Sequence, residues 1–231
     1  MEQQYILLVE GPDDEHVIKH LCKSRNHSFF NKVDENEVQI KQKGGVQNLL
    51  NTLSIELTGS GLKVLGVIVD ADMSLESRWQ QVREQLRKAG YSNIPSAPNP
   101  KGTVLPSVEG SLLPRFGVWI MPDNQTSGIL EDFLRWLVPQ DSQLFPHVQS
   151  SIDSIPETER HFSENDKPKA VIHTWLAWQK EPGKPLGVSI TAKYLDPDVE
   201  QVGLLLTWLM RLFENQSDDN NVSIHSDLPT S

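Results

Sequence analysis

One arrangement occurs four times along the chain: a short apolar run, then a turn, then an amphipathic stretch with helical spacing. The apolar runs lie at residues 5–9, 38–41, 64–69 and 116–121. The third run is largely β-branched, which is typical of a strand that is buried on both faces. Strands that alternate with helices predict an α/β fold, with a parallel sheet of about four strands flanked by helices.

Beyond residue 139 the pattern becomes helical. It predicts a weak helix near 156–164, a Trp-rich helix at 169–179 and an apolar helix at 198–213. We therefore expect an α/β domain over 1–138, a C-terminal helical appendage over 139–213 that packs on it, and an acidic tail over 214–231. The tail is expected to be disordered, because its little apolar surface cannot offset the entropy of ordering. The proline-rich stretch 91–114 predicts a loop or irregular strands.

Composition excludes several classes of protein. The single cysteine, Cys22, rules out an intramolecular disulfide and favours a reducing cytoplasm. The longest dense apolar stretch, 202–213, is shorter than the roughly 20 residues of a membrane span, and the basic start of a signal peptide is missing. The net charge of −10 argues against a passive electrostatic coat on DNA. We expect a cytoplasmic protein without a membrane partner.

Acidic residues follow three of the predicted strands. Glu10, Asp70, Asp72 and Asp123 stand at strand ends, and Asp14 and Glu131 fall in the first turns of the helices that follow. Because all strands of a parallel sheet end at one edge, these carboxylates are predicted to converge there. Carboxylates packed together repel each other unless a cation neutralises them, and hard oxygen ligands select Mg²⁺ or Mn²⁺.

Simpler interpretations stand beside this one. Asp14 can be an ordinary helix cap, whereas Glu10 is poor cap material and alternation points Asp70 and Asp72 the same way. Basic and glycine residues offer a phosphate or nucleic-acid contact: Lys43, Gly44 and Gly45 before the second helix, and Arg78 on the third. The alternatives are a glycine-rich turn beside solvated lysines and the solvent-exposed face of a helix. Solvation is also the simpler interpretation of Lys169.

Two segments carry a family resemblance. Residues 7–11, Leu-Leu-Val-Glu-Gly, and residues 67–72, Val-Ile-Val-Asp-Ala-Asp, resemble the two signature motifs of the Toprim superfamily, in the right order and context. The resemblance covers about residues 4–135 and implies a Rossmann-like sheet. It is nearest to small stand-alone bacterial Toprim-like proteins, related to the OLD (overcoming lysogenization defect) nucleases and the small ribosomal-RNA maturases. The stretch 173–196 looks like the C-terminal hallmark of that group.

The resemblance also implies roles for the acidic residues. Glu10 matches the motif glutamate, a general acid/base or a ligand of a second metal, and Asp70 and Asp72 match the aspartate pair that holds Mg²⁺. Asp14 matches a further metal-binding acid of OLD-type nucleases. Asp123 and Glu131 are expected to be extra ligands.

Together these features predict a magnesium-dependent nuclease that hydrolyses DNA or RNA. Pro12 departs from the Lys that is usual in maturase-like members, and the phosphate-binding loop of the OLD ATPase domain is missing. The alternative is a non-catalytic Toprim-like module that binds metal, nucleic acid or a protein partner in a defence or repair system. The choice between DNA and RNA, the number of metals and the oligomeric state are left open.

Overall fold

The computed structural model describes residues 4–27, 38–107 and 110–214. Five strands form one sheet in the order β2-β1-β3-β5-β4, with bounds β1 Gln4–Val9, β2 Val38–Gln42, β3 Leu62–Asp70, β4 Thr103–Leu105 and β5 Arg115–Met121. Strands β2, β1, β3 and β5 are parallel. The predicted α/β class is therefore confirmed. Beyond Glu214, the predicted tail lies outside the described residues.

The strand count differs from the prediction, since β4 adds a fifth strand. This three-residue strand pairs antiparallel with β5 inside the proline-rich stretch 91–114. It is too short to show an apolar pattern of its own, and its pairing with β5 defines it.

In the described ranges, eight α-helices surround the sheet: α1 Pro12–Ser24, α2 Val46–Glu56, α3 Leu75–Ala89, α4 Leu130–Trp136, α5 Leu144–Asp153, α6 Lys167–Ala177, α7 Leu186–Thr191 and α8 Glu200–Phe213. The helix predicted near 156–164 is wrong. Residues 157–159 form a turn, α5 ends before them, and the next helical element is a three-residue 3₁₀ helix that begins at Glu164. Helix α5 buries Val148 and Ile152, a pair one helical turn apart. Within the described residues, no helix is long and apolar enough to cross a membrane.

Both faces of the sheet are buried, which explains why its strands are continuously apolar. Alternate residues of β1 enter two separate cores: Leu7 packs with α1 and the C-terminal helices α4 to α8, whereas Leu8 packs with α2 and α3. Helix α8 lies close over the sheet at Gly66 and Gly117. A Cβ atom at either glycine would meet the side chain of Leu212 at under 3.0 Å. Helix α1 and the C-terminal helices thus share one face of the sheet.

Helix α7 approaches α1 so closely that a glycine is needed at the crossing. A Cβ atom on Gly187 would lie 2.6 Å from the backbone oxygen of His16. Backbone cannot rotate away as a side chain can, so Gly187→Ala should lower the free energy of unfolding by about 1–3 kcal/mol.

Urea denaturation measures this difference, and Gly203→Ala provides a matched control. Gly203 lies within α8 with no neighbouring atom in reach of an added Cβ. Alanine there should stabilise the helix by up to about 1 kcal/mol. Equal effects at the two glycines would contradict the close crossing of α1 and α7.

Candidate functional site

The predicted site lies where β1 and β3 end side by side. Glu10 follows β1 directly, and Asp70 is the last residue of β3. The Glu10 Oε1 atom accepts a hydrogen bond from the backbone N–H of Asp70 at 2.8 Å. Because the two strands are parallel neighbours, the two residues share one edge of the sheet, as the sequence predicted. The bond holds one oxygen of Glu10 in place, and Oε2 remains for other contacts.

Two further carboxylates are buried beside this pair. Asp14, in the first turn of α1, is 8% exposed, and Glu131, in the first turn of α4, is 4% exposed. Asp14 also accepts a hydrogen bond from the backbone N–H of Gly11 at 3.0 Å, so it helps to cap α1 from the third helical position, while Gly11 is the N-cap residue. Both charges act on Asp70. We call Glu10, Asp14, Asp70 and Glu131 the acidic cluster.

Burial makes these carboxyl groups weak acids. It raises the pKa of Glu10 to about 7, although the hydrogen bond from Asp70 opposes the change. Burial likewise raises the pKa of Asp14 to about 6 and that of Glu131 to about 6. The pKa of Asp70 lies well above its usual range, first because of burial and then because of the charge on Glu10. Near neutral pH the cluster therefore holds protons or needs a cation.

These raised pKa values predict that the folded protein becomes less stable as pH rises when EDTA keeps it free of metal. The native cluster binds protons more tightly than the unfolded chain, whose carboxyl groups titrate near pH 4. Its stabilising effect is therefore complete below about pH 4 and is lost as pH rises through 6 and 7, the pKa values of the folded state. Between pH 5 and pH 8 the protein should lose at least about 1 kcal/mol of stability, or roughly 2–4 °C in Tm.

Thermal melts across this pH range test the prediction. Asp70→Asn should flatten the pH dependence, because it removes the most strongly perturbed carboxyl group. Glu84→Gln is the control, since Glu84 is exposed and paired with Lys88 on α3. A Tm that rises from pH 5 to pH 8 would show that the cluster does not control stability.

Asp72 departs from the predicted arrangement. Its φ angle is 52°, so the alternation of the strand breaks and its carboxylate turns to Arg78. Arg78 also donates through Nε to the carbonyl oxygen of Asp70 at 2.7 Å. Because Arg78 is only 8% exposed, the interpretation as part of a solvated helix face is wrong. Arg78 therefore links the backbone of Asp70 to the side chain of Asp72. Its role in nucleic-acid binding stays a prediction.

The remaining predicted residues have other partners. Oδ1 of Asp123 accepts hydrogen bonds from the backbone N–H groups of Gln125 and Thr126, so it organises its own turn. Lys43 pairs with Glu56 at 2.6 Å. Gly45, which follows Gly44, donates its N–H to the carbonyl oxygen of Glu10 at 2.9 Å. The glycine turn therefore lies against the acidic cluster, but its lysine and one N–H group already have partners.

Lys169 is a residue for which the sequence favoured simple solvation over a role in the site. It stands in the first turn of α6, is exposed, and its charge acts on both Asp14 and Glu131. No spacing in the sequence connects position 169 with positions 14 and 131. The packing of α6 against α4 brings this cation to the acidic cluster.

The donor atoms of the cluster suit Mg²⁺ or Mn²⁺. They are carboxylate oxygens, and their mutual repulsion is the condition that a divalent cation relieves. As the side chains stand, however, no group of three or more His, Cys, Asp or Glu residues in the described ranges could hold a metal ion. Asp72 would have to leave Arg78 to join such a group. Metal binding therefore stays a prediction.

Fold and site together define a class: α/β proteins with a buried polar site at the carboxyl edge of a largely parallel sheet. The chain belongs to the DUF3226 family, described as a protein of unknown function, whose family model matches residues 4–214. No curated protein and no solved structure matches the chain. The family match takes in both the sheet and the C-terminal helices. The resemblance to the Toprim superfamily stays a prediction.

Proposed function

We propose that the protein is a Toprim-like phosphodiesterase that uses Mg²⁺ or Mn²⁺ to cleave DNA or RNA. The observation that carries this proposal is the contact between Glu10 and Asp70, which joins the acids of both sequence motifs at one sheet edge. Asp14 and Glu131, which are buried, complete a set of four carboxylates with the partly buried Glu10 and Asp70. Several carboxylates packed together destabilise the folded protein unless they bind a cation.

The residues divide into metal ligands and a proton carrier. Asp70 and Asp72 are the proposed principal ligands, with Asp14 and Glu131 in support and Asp123 as the weakest candidate. A bound Mg²⁺ or Mn²⁺ supplies Lewis-acid polarisation of a phosphoryl oxygen. Glu10 is the proposed general acid/base, because its Oε2 atom can take or return a proton while Oε1 stays bonded to Asp70.

Two cations favour a phosphate at this otherwise acidic site. Arg78 lies against Asp70 and Asp72. Lys169, on α6, acts through its charge on Asp14 and Glu131. If Asp72 turned to a bound metal ion, the Arg78 guanidinium would be released from its ion pair. It can then donate to a phosphate oxygen.

Incubation of labelled single-stranded DNA, duplex DNA and RNA with the wild-type protein tests the proposal. Cleavage in Mn²⁺ or Mg²⁺ that EDTA abolishes is the expected result. Intact substrates in every metal condition would overturn the nuclease proposal.

A non-catalytic module is the second candidate. The Asp72–Arg78 ion pair favours it, as does the lack of a ready metal-holding group among the described residues. Such a module would bind metal, nucleic acid or a protein partner in a defence or repair system. Binding of metal without cleavage of any nucleic acid would select this candidate.

We also propose a cytoplasmic location. Cys22 is free and buried, and burial raises the pKa of its thiol to about 12. This thiol is therefore an inert core side chain, as in proteins of a reducing compartment.

A further inference from the structure

We propose that a cavity beside the acidic cluster receives one unpaired nucleobase of a single-stranded nucleic acid, and this inference rests on the proposed function. The cavity has a volume of about 330 Å³. Its walls come from the loop after β5 and from helices α4 and α5, and they include Thr126, Ser127, Asp132, Arg135, Trp136 and Phe145.

Helix α4 joins the cavity to the acidic cluster. Asp132, Arg135 and Trp136 are spaced three and four residues apart, so they share the helix face that lines the cavity. Glu131 precedes them on the neighbouring face, and its charge acts on Asp70 in the cluster. A ligand in the cavity is thus held by the same helix that supplies a carboxylate to the site.

The loop after β5 makes a second connection. Asp72 and Gly128 exchange backbone hydrogen bonds of 2.9 Å, and the backbone N–H of Leu130 donates to Oδ1 of Asp70 at 3.0 Å. Ser127, one residue before this bridge, lines the cavity and accepts a hydrogen bond from the backbone N–H of Leu75. The cavity wall and the two motif aspartates are therefore parts of one hydrogen-bonded unit.

The two aromatic side chains of the cavity wall, Trp136 and Phe145, are each fixed by contact with another ring. Trp136 packs edge-on against Phe133 with centroids 6.3 Å apart, and Phe145 packs edge-on against Trp175 at the same distance. Both wall residues are only half-buried, so part of each ring stays open to a ligand. Nucleobases stack on such surfaces whatever their sequence.

Polar groups on the walls suit the rest of a nucleotide. Arg135 pairs with Asp132 at 3.5 Å, but its side chain is 41% exposed and carries five N–H donors, so it can also contact a phosphate. Within the described part of the chain, Nε1 of Trp136 donates to no protein atom, which leaves it for a ligand. The hydroxyl group of Ser127 can donate to a base or a sugar oxygen.

The size of the cavity selects a single strand. Small-molecule sites span about 300–1,000 Å³, and this cavity lies at the lower end of that range. On this size we expect it to accept one flipped or unpaired base rather than a base pair within a duplex. The net negative charge of the chain disfavours binding of nucleic acid. Stacking of a base in the cavity would offset this repulsion.

Binding of a cleavage-resistant oligonucleotide tests this inference without depending on catalysis. The probe is a fluorescein-labelled oligothymidylate with phosphorothioate linkages in Mg²⁺ buffer, compared by anisotropy with a duplex of the same length. Trp136→Ala should weaken single-strand binding at least about fivefold, which corresponds to the loss of one stacked base, and should leave duplex binding unchanged. Trp136→Phe, which keeps an aromatic ring, should retain most of the affinity.

Trp178→Ala is the matched control, because Trp178 is 45% exposed and lies outside the cavity wall. It should bind both probes as the wild type does. Photo-crosslinking of the wild-type protein to an oligonucleotide with 5-iodouracil needs no variant to fold, and it should label the peptide that contains Trp136 or Phe145. Unchanged single-strand binding by folded Trp136→Ala, or crosslinks confined to other peptides, would overturn the inference.

The two proposals can fail separately. If unmodified DNA is cleaved and Trp136→Ala leaves both cleavage and single-strand binding unchanged, the cavity proposal fails and the nuclease proposal stands. If single strands bind through Trp136 but no nucleic acid is ever cut, the nuclease proposal fails and the base-binding cavity stands.

Discussion

Glu10→Gln should reduce cleavage of nucleic acid by about 10²- to 10⁴-fold, the usual contribution of a general acid/base. The substitution keeps an Oε1 atom that can accept the hydrogen bond from Asp70, so the geometry at the strand ends should persist. It removes the carboxylate that exchanges a proton at Oε2. Initial rates on a labelled oligonucleotide measure the loss, and calorimetry measures the affinity for Mn²⁺.

The comparison between these two measurements decides the role of Glu10. A general acid/base predicts a large loss of cleavage with Mn²⁺ affinity changed only a few-fold, whereas a metal ligand predicts that both fall together. Glu84→Gln, on the exposed face of α3, should cleave as the wild type does. Full activity of Glu10→Gln would remove this residue from the mechanism.

Mg²⁺ or Mn²⁺ should stabilise the folded protein by about 2.7 kcal/mol at a concentration one hundred times the dissociation constant. This follows from linkage, because the unfolded chain does not hold the four carboxylates together. For a chain of this length the gain corresponds to roughly 5–10 °C in Tm. Differential scanning fluorimetry with increasing metal, against EDTA, measures it.

Asp70→Asn should abolish this gain and leave the metal-free protein as stable as the wild type or more stable. The amide keeps an Oδ1 acceptor for the backbone N–H of Leu130 and removes one charge from a repelling set. Asp153→Asn is the control, since Asp153 is an exposed residue of α5 that pairs with Lys167 and does not belong to the acidic cluster. If the wild-type melting curve does not move with metal, the metal site and the catalytic proposal both fail.

Much of the fold follows from local pattern. The apolar runs that end near Glu10 and Asp70 predicted β1 and β3, because a strand buried on both faces needs apolar residues at every position. Helix α3 likewise follows from local pattern, since Leu75–Ala89 has helical spacing and Gly90 ends it in the left-handed conformation. The shared edge of Glu10 and Asp70 also followed from sequence, since parallel strands end on the same side.

Other features have no local signal. Strand β4 exists because its backbone pairs with β5, and the close crossing at Gly187 depends on α1, which lies far away in the chain. The prediction that Asp72 points with Asp70 assumed that the strand continues, but β3 ends at Asp70 and Asp72 has a positive φ angle.

The sequence by itself therefore determined the strands, most of the helices and the edge at which the acids of both motifs meet. Only the tertiary structure decided which charges act on one another: Arg78 pairs with Asp72, and the charge of Lys169 acts on Asp14 and Glu131. The physical reason is that apolar periodicity reports whether a residue is buried, which is a local property of a strand or helix. The partner of a buried charge is set by the packing of elements distant in sequence.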